Sequence, residues 1–132
     1  MKAKYLLLVV SVLAACSLQQ NPTESTGSIV EPGVSEQLAR HRARLISEIN
    51  YKIRLVVPAN QGSPIEATLA LSFYLSENSE DVQLDFRQSE DSVRALSVNG
   101  VEARISHYNE HLVLSQEHLN VGLNQINIGF VA

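Results

Sequence analysis

The chain has 132 residues, 45% of them apolar and 18% charged, the balance of an ordinary one-domain globular protein and of neither a fibrous nor a disordered one. Ten basic against 14 acidic residues give a net charge of -4, so no cationic surface stands ready for a phosphate backbone and nucleic acid is excluded as a partner. One cysteine rules out an internal disulfide, and four histidines beside it are too few for a paired-thiolate zinc module.

Residues 1–15 read as a signal peptide: Lys2 and Lys4, an apolar run from Tyr5 to Val12 broken only by Ser11, then Leu13-Ala14-Ala15 ahead of Cys16. The run is too short for a permanent membrane span. Leu13-Ala14-Ala15-Cys16 also resembles the lipobox of bacterial lipoproteins, which implies that the Cys16 thiol is acylated and becomes the new amino terminus. Several acyl chains on one residue hold a protein on a leaflet, so the expected partner at this end is a membrane, reached through the lipid. Cleavage before Cys16 removes two lysines and leaves 8 basic and 14 acidic groups, net -6. Residues 16–33, rich in Ser, Gln, Asn, Pro, Thr and Gly, bury almost nothing and are expected to form a flexible tether. No acidic cluster follows Cys16, which favours the outer membrane of the bacterial envelope, facing the periplasm, over surface display.

The domain proper is expected over residues 34–132. From Val34 to Ile46 the apolar positions Leu38, Ala39, Ala43, Leu45 and Ile46 fall at helical spacing, with Ser35 placed to cap the first free amides. Glu36 precedes Arg40, Arg42 and Arg44, the favourable order along a helix dipole. The period then becomes two. Ile49, Tyr51, Ile53, Leu55 and Val57 alternate with mostly polar residues and predict a half-buried strand ending at Pro58. Ile65, Ala67, Leu69, Leu71, Phe73 and Leu75 predict a second one, with Pro58 to Pro64 closing a hairpin between them. Shorter strands are predicted at Val82 to Phe86, Val93 to Val98, Val101 to Ser106, His111 to Leu114 and Gln125 to Val131, and Asn99-Gly100 is a hairpin turn. This pattern predicts an all-β fold, an antiparallel sandwich or saddle-shaped sheet with one short N-terminal helix.

His107-Tyr108-Asn109-Glu110-His111 matches H-x-x-E-H, an inverted zinc-peptidase pattern. That chemistry needs both imidazoles on one side of a metal, as on a helix. Here Tyr108-Asn109-Glu110 is a predicted turn, so the histidines are expected to flank a hairpin as solvated residues, although Glu117 and His118 lie close in sequence. No serine sits in G-x-S-x-G and no glycine loop forms a phosphate cradle, which leaves nucleophilic catalysis without a candidate. Glu80-Asp81 and Glu90-Asp91 are expected to keep turns solvated, and the three arginines a helix face. No catalytic, metal or cofactor-binding residue is assigned.

From Val34 onward the residues form an ordered series: Val34-Ser35, Leu38-Ala39, Arg42-Ala43, Ile46-Ser47, Ile49, Tyr51, Leu55 and Pro58. It continues with Pro64, Leu69, Phe73, Leu84-Asp85-Phe86, Val93, Leu96, Val98, Asn99 and Gly100, and ends with Val113-Leu114, Leu119, Gly122, Asn124, Ile126, Ile128 and Phe130. The series resembles the amino-terminal β domain of aminopeptidase N, a zinc exopeptidase, with Ala67 where that family has a glycine and Ser115 where it often has a proline. The resemblance implies a scaffold role, with Leu69, Leu71, Phe73, Leu84, Phe86, Ile126, Ile128 and Phe130 as core. It also implies that zinc belongs to a catalytic domain bearing H-E-x-x-H and G-x-M-E-N, neither of which occurs in this sequence. The chain is thus expected to be the non-catalytic portion of a truncated or split aminopeptidase. Two alternatives stay open: a stand-alone lipoprotein module that binds a protein partner, and a metal-binding module using His107 and His111. In the family further strands continue the sheet, so the strand Gln125 to Val131 is expected to be an open C-terminal edge where a catalytic domain or another protein pairs. Cells fed labelled palmitate should transfer it to the wild-type chain and not to a Cys16→Ser variant; label retained in the variant counts against lipidation at this residue.

Overall fold

Residues 31–78 and 80–132 are described in the computed structural model; the signal peptide, Cys16 and residues 16–30 of the tether lie outside them. Helix α1 spans Glu36–Leu45, and Ser35 caps it by accepting the Leu38 amide at 3.1 Å. Eight strands follow: β1 Ile46–Val56, β2 Glu66–Leu75, β3 Val82–Asp85, β4 Val93–Val98, β5 Val101–Glu102, β6 His107–Tyr108, β7 His111–Leu114 and β8 Gly122–Val131. They form a five-stranded sheet in the order β1-β2-β8-β4-β5 and a three-stranded sheet in the order β3-β7-β6. Every pairing is antiparallel. The chain is an all-β sandwich with one short helix.

The two sheets meet through side chains selected by the period of two. Leu71 and Phe73 of β2, Leu96 and Val98 of β4, and Ile126 and Ile128 of β8 pack with Val82 of β3 and Leu112 and Leu114 of β7 in one cluster. Leu69, Leu84, Phe86 and Phe130 lie partly buried against it, with Phe86 and Phe130 edge to face at 5.6 Å. Of the eight residues expected in the core, Leu71, Phe73, Ile126 and Ile128 are buried in it and the other four flank it. Both two-residue hairpin turns put positive φ at each central position, 53° and 82° at Asn99-Gly100 and 46° and 67° at Asn109-Glu110. Such turns twist with the strands they join.

Three expectations are corrected. Strand β1 is not half-buried: Ile49, Tyr51, Ile53 and Leu55 are 53%, 56%, 58% and 55% exposed. The cause is its place at the end of the sheet order, beyond the reach of the smaller sheet. The C-terminal strand is not an edge, because β8 pairs with β2 along Gly122–Val131 and with β4 along its other side. It also starts earlier than predicted, at Gly122. Finally, Val101 to Ser106 does not stay in one strand. Only Val101 and Glu102 pair with β4; Ala103 then donates to the Leu96 carbonyl, and Ala103 and Ile105 turn onto the core as the chain crosses to the other sheet at β6.

Burial on the two flanks of this architecture differs enough to read in a denaturant melt. Ile126→Ala, at a fully buried position, should cost about 2–5 kcal/mol. Ile53→Ala, on the uncovered strand, should change stability by no more than about 0.5 kcal/mol. Equal losses in urea unfolding would contradict the placement of β1 outside the core.

Candidate functional site

The register of the large sheet sets what β1 offers. Tyr51, Ile53 and Leu55 lie opposite Leu71, Leu69 and Ala67 of β2, so their side chains share the face that meets the smaller sheet. Because β3 stops short of them, a cavity of about 500 Å³ opens between Ile49, Tyr51 and Ile53 on one side and Leu84, Phe86 and Phe130 on the other. Its walls are largely aliphatic. On the opposite face of the same strand stand Asn50, Lys52 and Arg54, all exposed and paired in register with Ser72, Ala70 and Thr68. A bulge between Ser47 and Asn50, where Glu48 has φ 52°, separates this straight segment from the helix.

A polar cluster closes the cavity where the helix meets β3. Arg42 Nη1 donates to Asp85 Oδ1 at 2.8 Å, and His111 Nε2 lies 3.3 Å from the same oxygen. His111 is 1% exposed, and among the described residues neither of its ring nitrogens, nor Nε or Nη2 of Arg42, has a hydrogen-bond partner. The arrangement ties helix to sheet and holds one carboxylate oxygen between two basic groups. His41 and Glu80 make a second tie at 2.6 Å.

These contacts correct several expectations about individual residues. His111 is not solvated: register places it opposite Tyr108 and Asp85 in the middle strand of the small sheet, where both faces are covered. His107 is half-buried and donates through Nε2 to the Phe86 carbonyl at 2.8 Å. Arg42 is drawn off the solvated helix face by Asp85, while Arg40 stays exposed and bonds Glu36. Glu80 and Asp81 do more than solvate a turn, since Asp81 Oδ1 accepts the Gln116 amide at 2.9 Å. Glu90 and Asp91 are exposed in a short 3₁₀ turn as expected.

His107 and His111 do flank a hairpin. His107 is opposite Leu112, and His111 opposite Tyr108, so the two imidazoles project from opposite faces of the ribbon and do not converge on one ion. Glu117 and His118 sit on a separate 3₁₀ turn and pair with each other at 3.5 Å. Among the described residues no group of three or more His, Cys, Asp or Glu is placed to hold a metal. No helix among them is long and apolar enough to cross a membrane.

No protein-family model matches the chain, and no curated protein matches it. The feature that sequence reasoning missed is the exposed stripe of β1. Alternation shows that one face is apolar and not whether another layer lies on it. A usable signal was present: Lys52 and Arg54 stand two apart on the other face, as on strands whose edges are guarded by charge. Zinc calorimetry on the wild-type chain and on His107→Ala should give equal heats; a stoichiometric heat lost in the variant would restore a metal role for the hairpin.

Proposed function

We propose that this chain is a non-catalytic docking module, the amino-terminal β domain of an aminopeptidase N-like assembly, held through lipid on Cys16 at the outer membrane facing the periplasm. Strand β1 is where it seats the polypeptide it serves. One observation carries this reading: four apolar side chains in alternation, each more than half exposed, on an 11-residue strand at the end of a sheet. A strand of that length and character pairs readily with other chains. Support for the family comes from the ordered residues quoted above, of which Phe73, Leu96, Ile126 and Ile128 are buried in the core and Asn99-Gly100 forms a turn, while Ile49, Tyr51 and Leu55 lie exposed on β1. Zinc chemistry in this reading belongs to the docked partner, because the histidines here point apart.

A photo-crosslinking phenylalanine analogue placed at Tyr51 in cells tests the assignment, with Glu102 on the opposite edge as the control site. Illumination should give an adduct from Tyr51 only, and its peptide map should contain an H-E-x-x-H peptidase sequence. No adduct, or equal yields from both sites, would count against docking at β1; an adduct to a protein without that motif would replace the peptidase assignment with a stand-alone lipoprotein module.

A further inference from the structure

We infer that β1 receives an extended segment in which apolar and acidic residues alternate, a deeper statement that rests on the docking reading above. Among the described residues only β2 pairs with β1, so along the other side its amides and carbonyls are open to a new ladder. The bulge at Glu48 ends the straight part of that template, which leaves Asn50 to Val56 as the usable length.

The two faces of this template ask for different chemistry. On one, Tyr51, Ile53 and Leu55 border or adjoin the aliphatic cavity and are exposed by 56%, 58% and 55%. Apolar residues opposite them on an added strand would cover that opening. On the other face Lys52 and Arg54 have no ion-pair partner among the described residues, and the β2 residues in register with them, Ala70 and Thr68, are uncharged. Glu66, in register with Val56, is the nearest carboxylate along β2 and forms no salt bridge with Arg54. Carboxylates on the added strand therefore meet two unpaired cations. Opposite charges directly across a ladder attract and like charges repel.

The same rule opposes a second copy in every antiparallel register that uses most of the template. Two copies pairing antiparallel through β1 keep each face on its own side, so a residue meets one of equal parity. With the axis at Ile53, Lys52 faces Arg54 twice; with the axis at Lys52 or at Arg54, that residue faces itself. An axis at Tyr51 or at Leu55 relieves the clash but keeps only three residues of the straight segment, 50–52 or 54–56, in the ladder.

The test uses the purified full-length chain and two blocked heptapeptides, one alternating valine with glutamate and one alternating valine with lysine. Calorimetry should show saturable one-to-one binding of the glutamate peptide, at least tenfold tighter than the lysine peptide, and N-methylation of alternate amides should abolish it. The Lys52→Glu/Arg54→Glu chain, altered only at exposed positions, should reverse the preference. Equal affinity for the two peptides, binding of neither, or a dimer of the chain that excludes both would overturn the inference. Peptide binding is read on the isolated chain and the Tyr51 crosslink in cells, so failure of one is distinguishable from failure of the other.

Discussion

A sheet three strands wide, spanning about 10 Å across its strands, cannot cover one that is five strands wide and spans about 19 Å. Nearly everything distinctive about this domain follows from that mismatch. The small sheet lies over β2, β8 and β4, whose inward residues include Phe73, Ile126, Ile128 and Val98, each at most 2% exposed. What remains at the sides is treated differently. At one end β5 is only two residues long, too short to template pairing. At the other, β1 runs its full length with an apolar face that no layer among the described residues covers, and the cavity is the gap beneath that overhang.

The register that produces this overhang depends on polar anchors as much as on the apolar cluster. Asn124 is fully buried, and its side chain accepts from the Asn120 amide and from Asn99 Nδ2 while donating to the Asn120 and Gly122 carbonyls. Asn99 in turn donates to the His118 carbonyl and accepts the Gln125 amide. A buried amide satisfied in this way tolerates few displacements. It fixes where β8 enters the large sheet relative to the β4–β5 turn, and a slip of one residue there would turn Ile126 and Ile128 outward. On the other side, the Glu110 carbonyl accepts the Phe86 amide at 2.7 Å and ties the second hairpin to the end of β3.

Local rules made the helix, the two long strands, β4 and the Asn99-Gly100 turn legible in the sequence, because each depends on neighbours within a few positions: the Ser35 cap, the alternation from Ala67 to Leu75, a residue pair able to take positive φ. Three things were not legible. That β8 lies between β2 and β4 is a non-local choice, and no period in Gly122–Val131 encodes the identity of its neighbours. The burial of His111 follows from its strand being the middle one of three, whereas in sequence it is merely the residue after a turn. The exposure of β1 is of the same kind, since Ile49 to Leu55 has the alternation of a covered strand and lacks only the cover. Of the eight core positions expected between Leu69 and Phe130, four are buried and four flank the core, and nothing in that expectation concerned the cations at Lys52 and Arg54.

Those two cations carry the last step. An uncovered apolar edge is a hazard to any chain that meets copies of itself. The common defences are shortening, bulging and charge. Here the bulge at Glu48 shortens the straight template, and Lys52 and Arg54 set like charges against each other in the self-pairings that keep most of it. A defence based on charge sign is selective in a way that burial or shortening is not. It repels copies of the same strand and attracts a strand of opposite sign, so protection against self-association and recognition of a partner reside in the same side chains. The apolar face of β1 can then stay exposed without becoming a general site of aggregation, because the backbone edge beside it accepts only a restricted class of strand.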